Sequence, residues 1–194
     1  MTDALRLGRR AFTIAVVGAT IAWSIGLAAV LQPLTAQGAM AGDLIKGSLP
    51  AVYYYAADGR RYVFPNEKTF KTWYAGFSGV QTLSDAEIAA IPIGGNVVYR
   101  GGTRLVKIQT DPRVYALEPN GVIRWVESEA VASALYGAAW ASRVDDVPDV
   151  FFVDYTPGAA LASAASYPAG SLVSPSDSDA VYYITSAGKR MVDA

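Results

Sequence analysis

The sequence predicts an α+β protein in which an N-terminal signal or transmembrane helix precedes tandem β-hairpin-plus-helix repeats. Three observations support this fold class. A charge-free apolar run follows a cluster of arginines near the N-terminus. A Val-Tyr dipeptide recurs three times, and each time a glycine stands seven residues after the valine. Signals that start a helix follow the first two of these motifs.

The N-terminal segment, residues 1–41, has the composition of a secretory signal. Three arginines precede an apolar run at residues 11–31, and an Ala-Met-Ala cleavage site ends at Ala41. The arginines are Arg6, Arg9 and Arg10. The run is also long enough to cross a hydrocarbon core of about 30 Å as a helix. The segment is therefore predicted to be either a signal peptide or a membrane anchor, and we favour cleavage after Ala41.

Either outcome places the rest of the chain outside the cytoplasm, because the arginines stay on the cytoplasmic side. We therefore expect an exported protein that is extracellular, on the cell surface or facing the periplasm. Membrane contact is expected only through the N-terminal segment, if that segment stays uncleaved. The chain has no cysteine, so disulfides cannot stabilise it. A net charge of −1 without a basic patch argues against a nucleic-acid partner.

Self-comparison divides the remaining chain into three repeats, residues 42–101, 102–169 and 170–194. The repeated dipeptides are Val52-Tyr53, Val114-Tyr115 and Val181-Tyr182. An arginine follows each glycine, and these arginines are Arg61, Arg124 and Arg190. The third copy stops after its hairpin, at Ala194. Either this hairpin caps the array or the sequence is a fragment of a longer product, and we favour the fragment.

Each copy is predicted to open with a hairpin and to continue into a helix. In the first copy, β-branched and aromatic residues at 51–55 and 61–64 flank an Asp-Gly turn, and Asn120-Gly121 marks the same turn in the second. Three helices are predicted from the N-cap signals Asn66, Ser84 and Ser128. The first two helices are expected to end at Gly76 and Pro92. The third is expected to run towards Trp140, with Gly137 as an alternative stop or a weak point. The second-copy counterpart of the Ser84 helix, residues 145–149, is predicted to be a turn.

Catalysis is not expected, because the chain has neither histidine nor cysteine. This composition excludes Ser-His-Asp and Cys-His catalysis and zinc sites with nitrogen or sulfur ligands. No cofactor is predicted. The densest acidic stretch, with Asp145, Asp146 and Asp149, is a weak calcium candidate. A solvated loop is favoured there, because the stretch lacks the D-x-D-x-D-G pattern of a calcium loop.

Aromatic and basic residues of the hairpins form the candidate binding surface. Alternation along the first strand places Tyr53 and Tyr55 on one face and Tyr54 on the other. The full candidate set is Tyr53, Tyr55, Trp125, Tyr182, Arg61, Arg124 and Arg190. The favoured alternative is structural: strand rings pack on the following helix, while arginine stems cover rings and their guanidinium groups pair with acids.

Several stretches resemble repeats of exported, S-layer-like cell-surface proteins of small-genome bacteria. They are VYYYAADGRRYVFPNEKTFKTWY, GGNVVYRGGTRLVKI, VYALEPNGVIRWVESEAVASALYG and RVDDVPDVFFVDYTPG. The resemblance covers nearly everything from Gly42 onward and implies location and modular architecture without catalytic residues.

The leading hypothesis is a non-catalytic structural or adhesive protein of the cell envelope, whose partners are other envelope proteins or further copies of itself. One alternative is a module that binds cell-wall polysaccharide and delivers an enzyme encoded beyond the C-terminus. A weaker alternative is a pilin-like subunit.

Overall fold

A computed structural model describes residues 38–192 of the chain. The predicted signal or anchor helix falls at residues 11–31 and lies outside the described residues. Within the described range, no helix is long and apolar enough to cross a membrane. The described residues form a mixed α+β structure with three β-sheets and four α-helices.

The first sheet contains five strands. They are β1 (Leu44–Lys46), β2 (Val52–Tyr55), β3 (Arg61–Val63), β4 (Val80–Thr82) and β5 (Ile93–Asn96). Their order across the sheet is β4-β1-β2-β3-β5. The central strands β1, β2 and β3 run antiparallel, whereas β4 and β5 pair in parallel with β1 and β3. A three-stranded meander thus lies between two parallel edge strands.

The second sheet has the same arrangement. Its strands are β6 (Leu105–Ile108), β7 (Tyr115–Leu117), β8 (Val122–Trp125), β9 (Val144–Val147) and β10 (Thr156–Pro157). The order is β10-β8-β7-β6-β9. Here too the meander is antiparallel and both edge strands pair in parallel. The two sheets therefore match strand for strand in order and direction.

The third sheet consists of β11 (Leu172–Val173), β12 (Tyr182–Thr185) and β13 (Gly188–Met191), all antiparallel in the order β11-β12-β13. Its strands correspond to the meanders of the other two sheets. The three predicted hairpins are confirmed as β2–β3, β7–β8 and β12–β13. The predicted unit of one hairpin and one helix nevertheless accounts for only two of the five strands in each of the first two sheets.

A glycine with positive φ precedes the first strand of every sheet. Gly42, Gly102 and Gly170 have φ values of 103°, 77° and 92°. Each donates its backbone N–H, over 2.8 Å, to a carbonyl near the end of the second strand of its meander. The acceptors are the carbonyls of Tyr55, Leu117 and Ile184, each three residues after the valine of the repeated dipeptide. The entry into each meander is therefore built in the same way.

Four helices cover the five-stranded sheets: α1 (Glu67–Lys71), α2 (Asp85–Ala90), α3 (Glu129–Tyr136) and α4 (Asp149–Phe152). The predicted caps are confirmed, because the side chains of Asn66, Ser84 and Ser128 accept backbone N–H groups of the first turns. Ser84 forms the predicted capping box with Glu87. Gly137, with φ of 81°, ends α3, so the alternative stop is the correct one and the extension towards Trp140 is wrong.

Helix α1 ends at Lys71, so its predicted extension to Gly76 is wrong. The reason is tertiary packing of the aromatic residues. The Phe77 ring stacks on Phe70 with ring centroids 4.3 Å apart. A continuous helix would separate residues seven positions apart by about 10 Å along its axis. The chain therefore leaves the helix and folds back, which brings the two rings together.

The turn predicted at residues 145–149 is also wrong. Residues 144–147 form strand β9, which pairs in parallel with β6, and α4 begins directly afterwards. Two neighbouring aspartates disfavour a strand by intrinsic propensity. Here both carboxylates are paired, Asp145 with Arg104 and Lys68, and Asp146 with Lys107. Pairing of these charges offsets the local preference for a turn.

Three hydrophobic clusters make up the core. Helix α1 packs on one face of the first sheet, where Phe70 meets Leu44 and Phe64. In the second sheet, α3 covers the face of Leu105, Ala116 and Val126, and α4 covers the opposite face. The second sheet is thus enclosed by a helix on each side, with clusters centred on alternate residues of its strands.

Candidate ligand-binding groove

The first-sheet candidates pack against one another. The guanidinium carbon of Arg61 lies 4.8 Å from the centroid of the Tyr53 ring, and Arg61 stands opposite Tyr55 in the β2–β3 pair. Tyr54 faces the other side, against the cluster of Leu44, Phe64 and Phe70. The predicted separation of Tyr53 and Tyr55 from Tyr54 is therefore correct. The guanidinium group of the half-buried Arg61 therefore covers the Tyr53 ring.

Arg124 is held by its own chain. Its Nε donates to the carbonyl of Ala159 over 2.7 Å, and its Nη1 lies 3.1 Å from Glu118 Oε1. The same Glu118 oxygen accepts the backbone N–H of Ala169, at the entry to the third sheet. Arg124 therefore anchors the segment that leads from the second sheet to the third.

The three recurring arginines do not occupy equivalent strand positions, which corrects the sequence alignment. Arg124 pairs across from Ala116 and Arg190 across from Tyr183, both two residues after the repeated valine. Arg61 pairs across from Tyr55, three residues after it. The loop of the third hairpin is shorter than the loops of the other two. Arg61 and Arg190 both lie nine residues after their valine, but the shorter loop shifts the strand pairing by one position, so the two arginines face different residues.

The remaining candidates lie apart from these clusters. Tyr182 has Lys189 Nζ 4.5 Å from its ring centroid, and Arg190 is exposed on β13. Trp125 follows Arg124 directly on β8, so the two side chains leave opposite faces of the strand. The seven predicted residues therefore do not form one continuous binding face.

A groove does open beside Trp125. It has a volume of about 280 Å³ and is lined by the start of β7, the end of β8 and the beginning of α3. Trp125 is 38% exposed, and a half-buried Trp140 forms another wall. The charged and polar lining residues are Arg113, Glu127, Ser128 and Glu129. We call this the Trp125 groove.

Local structure explains how these side chains come together. Arg113 lies two residues before β7, and Glu127 and Ser128 form the short turn from β8 into α3. Trp140 lies in a 3-10 turn after Gly137 ends the helix, which returns the chain toward the strand ends. Sequence reasoning found Trp125 but missed Trp140. The signal for Trp140 was the Gly137 stop, which places a second indole shortly after the helix.

The unpaired charge in the Trp125 groove is negative. Arg113 Nε donates to Asp111 Oδ2 over 2.7 Å, and this hydrogen bond lowers the pKa of the Asp111 carboxyl. The positive charge of Arg113 is thus balanced locally. Among the described residues, Glu127 and Glu129 take part in no ion pair. Both carboxylates are exposed and can accept hydrogen bonds from a ligand.

A second groove lies at the corresponding place on the first sheet, with a volume of about 500 Å³. It too combines the start of the second strand, the end of the third and the first turn of the following helix. Four phenylalanines line it, namely Phe64, Phe70, Phe77 and Phe151. Where the Trp125 groove has Arg113, Trp125 and Glu127, this one has Ala51, Val63 and Pro65. The same location therefore has a mostly apolar lining, with Glu67 as its acidic residue, in one sheet and a mixed lining of indoles and two glutamates in the other.

The weak calcium candidate is not assembled by the fold. Asp145 binds Arg104 and Lys68, Asp146 binds Lys107, and Asp149 accepts a hydrogen bond from Thr110. Asp145 and Asp146 are consecutive on a strand and so face opposite sides. Within residues 38–192, no group of three or more acidic side chains is placed to hold a metal ion. The stretch is a paired strand rather than the solvated loop that we predicted.

No protein-family model matches this chain, and no curated protein matches it. Among solved structures, a chain in "Structure of an intact ESX-5 inner membrane complex, Composite C3 model" is similar at 14% identity with a TM-score of 0.25. The alignment covers 95% of this chain and 52% of that one, so this chain spans about half of its length. At this score the likeness shows neither a common fold nor a common function.

Proposed function

We propose that this chain is an exported, non-catalytic protein of the cell surface, built from tandem modules that pack in series. The observation that carries the proposal is the match between the two five-stranded sheets in strand order and direction. Both also place a capped helix after the third strand and a short helix between the two edge strands. A chain that repeats a whole module in this way is suited to building extended structures.

Contacts between successive modules support packing in series. Lys68 of α1 reaches Asp145 of β9 at 3.2 Å, and Asn96 donates to Asp154 over 2.9 Å. The buried Tyr155 hydroxyl accepts the backbone N–H of Tyr99. Phe151 of α4 belongs to the core of the second module and also lines the groove of the first. Polar and apolar contacts therefore join one module to the next.

Export is the second part of the proposal, and it rests on the sequence of residues 1–41. The arginine cluster, the apolar run and the Ala-Met-Ala site support either a cleaved signal or a membrane anchor.

Self-assembly tests the structural role. The full chain, purified in detergent and then freed of it, is expected to form ordered sheets or filaments in negative-stain electron microscopy. Sedimentation velocity at increasing concentration provides the matched solution measurement. A chain that stays monomeric under all conditions and covers no cell surface would contradict a structural role.

A second candidate function is a module that binds cell-wall polysaccharide. The Trp125 groove favours it, because two indoles line an open surface together with carboxylates that pair with no cation among the described residues. Co-sedimentation of the full chain with isolated cell walls tests this candidate. Binding to the walls without self-assembly would favour it over the structural role.

A further inference from the structure

We infer that the Trp125 groove binds uncharged hexopyranose units of a polysaccharide. This inference rests on the second candidate function and assigns it a site and a ligand class. The first argument is the shape and lining of the groove. Its volume of about 280 Å³ is near the lower end of small-ligand pockets, roughly 300 Å³, and suits one or two sugar rings.

The two indoles supply the apolar part of such a site. A pyranose ring has a face of C–H groups that packs flat on an aromatic surface, and indole offers the largest such surface among side chains. Trp125 is among the large hydrophobic residues that remain exposed, and the half-buried Trp140 lines the same groove. Contiguous exposed apolar surface with a polar rim is typical of a ligand-binding groove.

The polar residues supply the hydrogen-bonding part. Glu127 and Glu129 are exposed carboxylates at the mouth of the groove, and each offers acceptor oxygens to sugar hydroxyl groups. Hydrogen bonds from hydroxyl groups to a charged carboxylate are stronger than those between neutral groups. Ser128 is committed to capping α3, where its Oγ accepts the Val131 N–H over 3.3 Å. The two glutamates therefore carry the polar recognition.

Charge selects the class of polysaccharide. Among the described residues that line the groove, the one cationic side chain is Arg113, which is already paired with Asp111, whereas Glu127 and Glu129 are paired with no cation. A phosphate-bearing or uronic-acid polymer would meet like charge there. An uncharged chain of hexopyranose units meets no such repulsion and can use both carboxylates as acceptors.

The groove of the first module is a control within the same chain. It occupies the same place in the fold but has Val63 and Pro65 where the Trp125 groove has Trp125 and Glu127. The buried Phe70 stands where the second module has the smaller Ala132. The first groove has no indole among its lining residues, and its glutamate, Glu67, is paired with Lys71 Nζ at 2.7 Å. Sugar binding is therefore assigned to the second groove alone.

Isothermal titration of the full chain with three probes tests the inference. The probes are a glucose hexamer, an N-acetylglucosamine hexamer and, as an anionic comparison, an oligogalacturonate. We expect saturable binding of at least one uncharged hexamer and none of the oligogalacturonate. Trp125→Ala and Trp140→Ala should each weaken binding about tenfold, the effect of losing one stacked ring.

Matched variants keep the test valid if an alanine variant does not fold. Trp125→Phe keeps an aromatic ring and should retain part of the affinity, whereas Glu127→Gln removes charge without loss of volume and should weaken binding. Trp73→Phe changes an indole outside the groove and should leave the affinity unchanged. The absence of saturable binding to both uncharged hexamers would overturn the inference, as would affinities that the groove variants leave unaltered.

Cell-wall co-sedimentation separates this inference from the function on which it rests. If the full chain binds cell walls and Glu127→Gln and Trp125→Phe bind equally well, wall binding stands and the groove assignment fails. If the full chain binds no cell wall and neither hexamer, both fail. Preferential binding of the oligogalacturonate would overturn the assignment of an uncharged ligand.

Discussion

Lys68 of the first module lies 3.2 Å from Asp145 of the second, where the carboxylate is also held by Arg104 at 3.0 Å. The Asp145 side chain is only 10% exposed, whereas that of Lys68 is 65% exposed. One buried carboxylate therefore accepts a bond from its own module and another from the neighbouring one. This arrangement makes Asp145 a link between the stability of the second module and its packing against the first.

Asp145→Ala should lower the free energy of unfolding by about 2–4 kcal/mol, because it leaves the Arg104 charge partly buried and without its partner. Lys68→Ala should cost no more than about 1 kcal/mol, since an exposed ion pair contributes little. Asp146→Ala, which removes an exposed carboxylate from the next position, is the matched control and should also have a small effect. Urea unfolding of the three variants measures these differences, and equal losses for Asp145→Ala and Asp146→Ala would contradict this role for Asp145.

The contribution of Asp145 should also depend on pH. Burial raises the pKa of this carboxyl, but the hydrogen bonds from Arg104 and Lys68 outweigh burial and leave the pKa below its usual value of 3.8. A carboxyl with a lowered pKa in the folded state stabilises the fold above the pKa of the unfolded state. The difference in stability between the native chain and Asp145→Asn should therefore be constant above about pH 5 and shrink as the pH falls below about 4. If the difference in stability between the two proteins grew as the pH fell, the pKa of Asp145 would not be lowered in the folded state.

Gly102→Ala should be strongly destabilising. Gly102 has φ of 77°, and a Cβ atom there would lie 2.0 Å from the Gly170 carbonyl oxygen. The left-handed conformation alone costs a non-glycine residue about 1–2 kcal/mol, and the clash with backbone adds to this cost. Gly79→Ala is the control, because an added Cβ meets no atom within 4 Å there and φ is not positive. Thermal unfolding should separate the two variants, and equal melting temperatures would contradict close packing at the entry to the third sheet.

Phe70→Ala should cost about 3–5 kcal/mol, the usual effect of removing a buried phenylalanine. Phe70 is 1% exposed, and its ring centroid lies 5.0 Å from that of Phe64. Phe77 stacks on the same ring but is 47% exposed, so Phe77→Ala should cost much less. Chemical denaturation measures both, and a larger loss for Phe77→Ala would place the core of the first module elsewhere.

Local signals predicted the elements that local interactions determine. Asn66, Ser84 and Ser128 start their helices as expected, because a cap depends on residues within one turn. The hairpins also follow from the pattern, since their turns require glycine at Gly59 and Gly121, with φ of 76° and 75°.

Long-range pairing was not predictable from such signals. Strand β9 depends on its pairing with β6 and on the charges of Arg104 and Lys68, which lie far away in the sequence. The Trp125 groove likewise depends on where Trp140 returns after α3. Strand alternation separated Tyr53 from Tyr54, but only the fold places Tyr53 under Arg61 and Trp125 beside an open groove.

Protease treatment of intact bacteria that express the chain tests the central claim, which is export of a modular surface protein. Peptides released into the medium are identified by mass spectrometry, with a cytoplasmic enzyme as the marker of lysis. The account predicts that peptides from residues 42–192 are released while the marker stays inside the cells. Release of these peptides only after lysis, together with the marker, would contradict it.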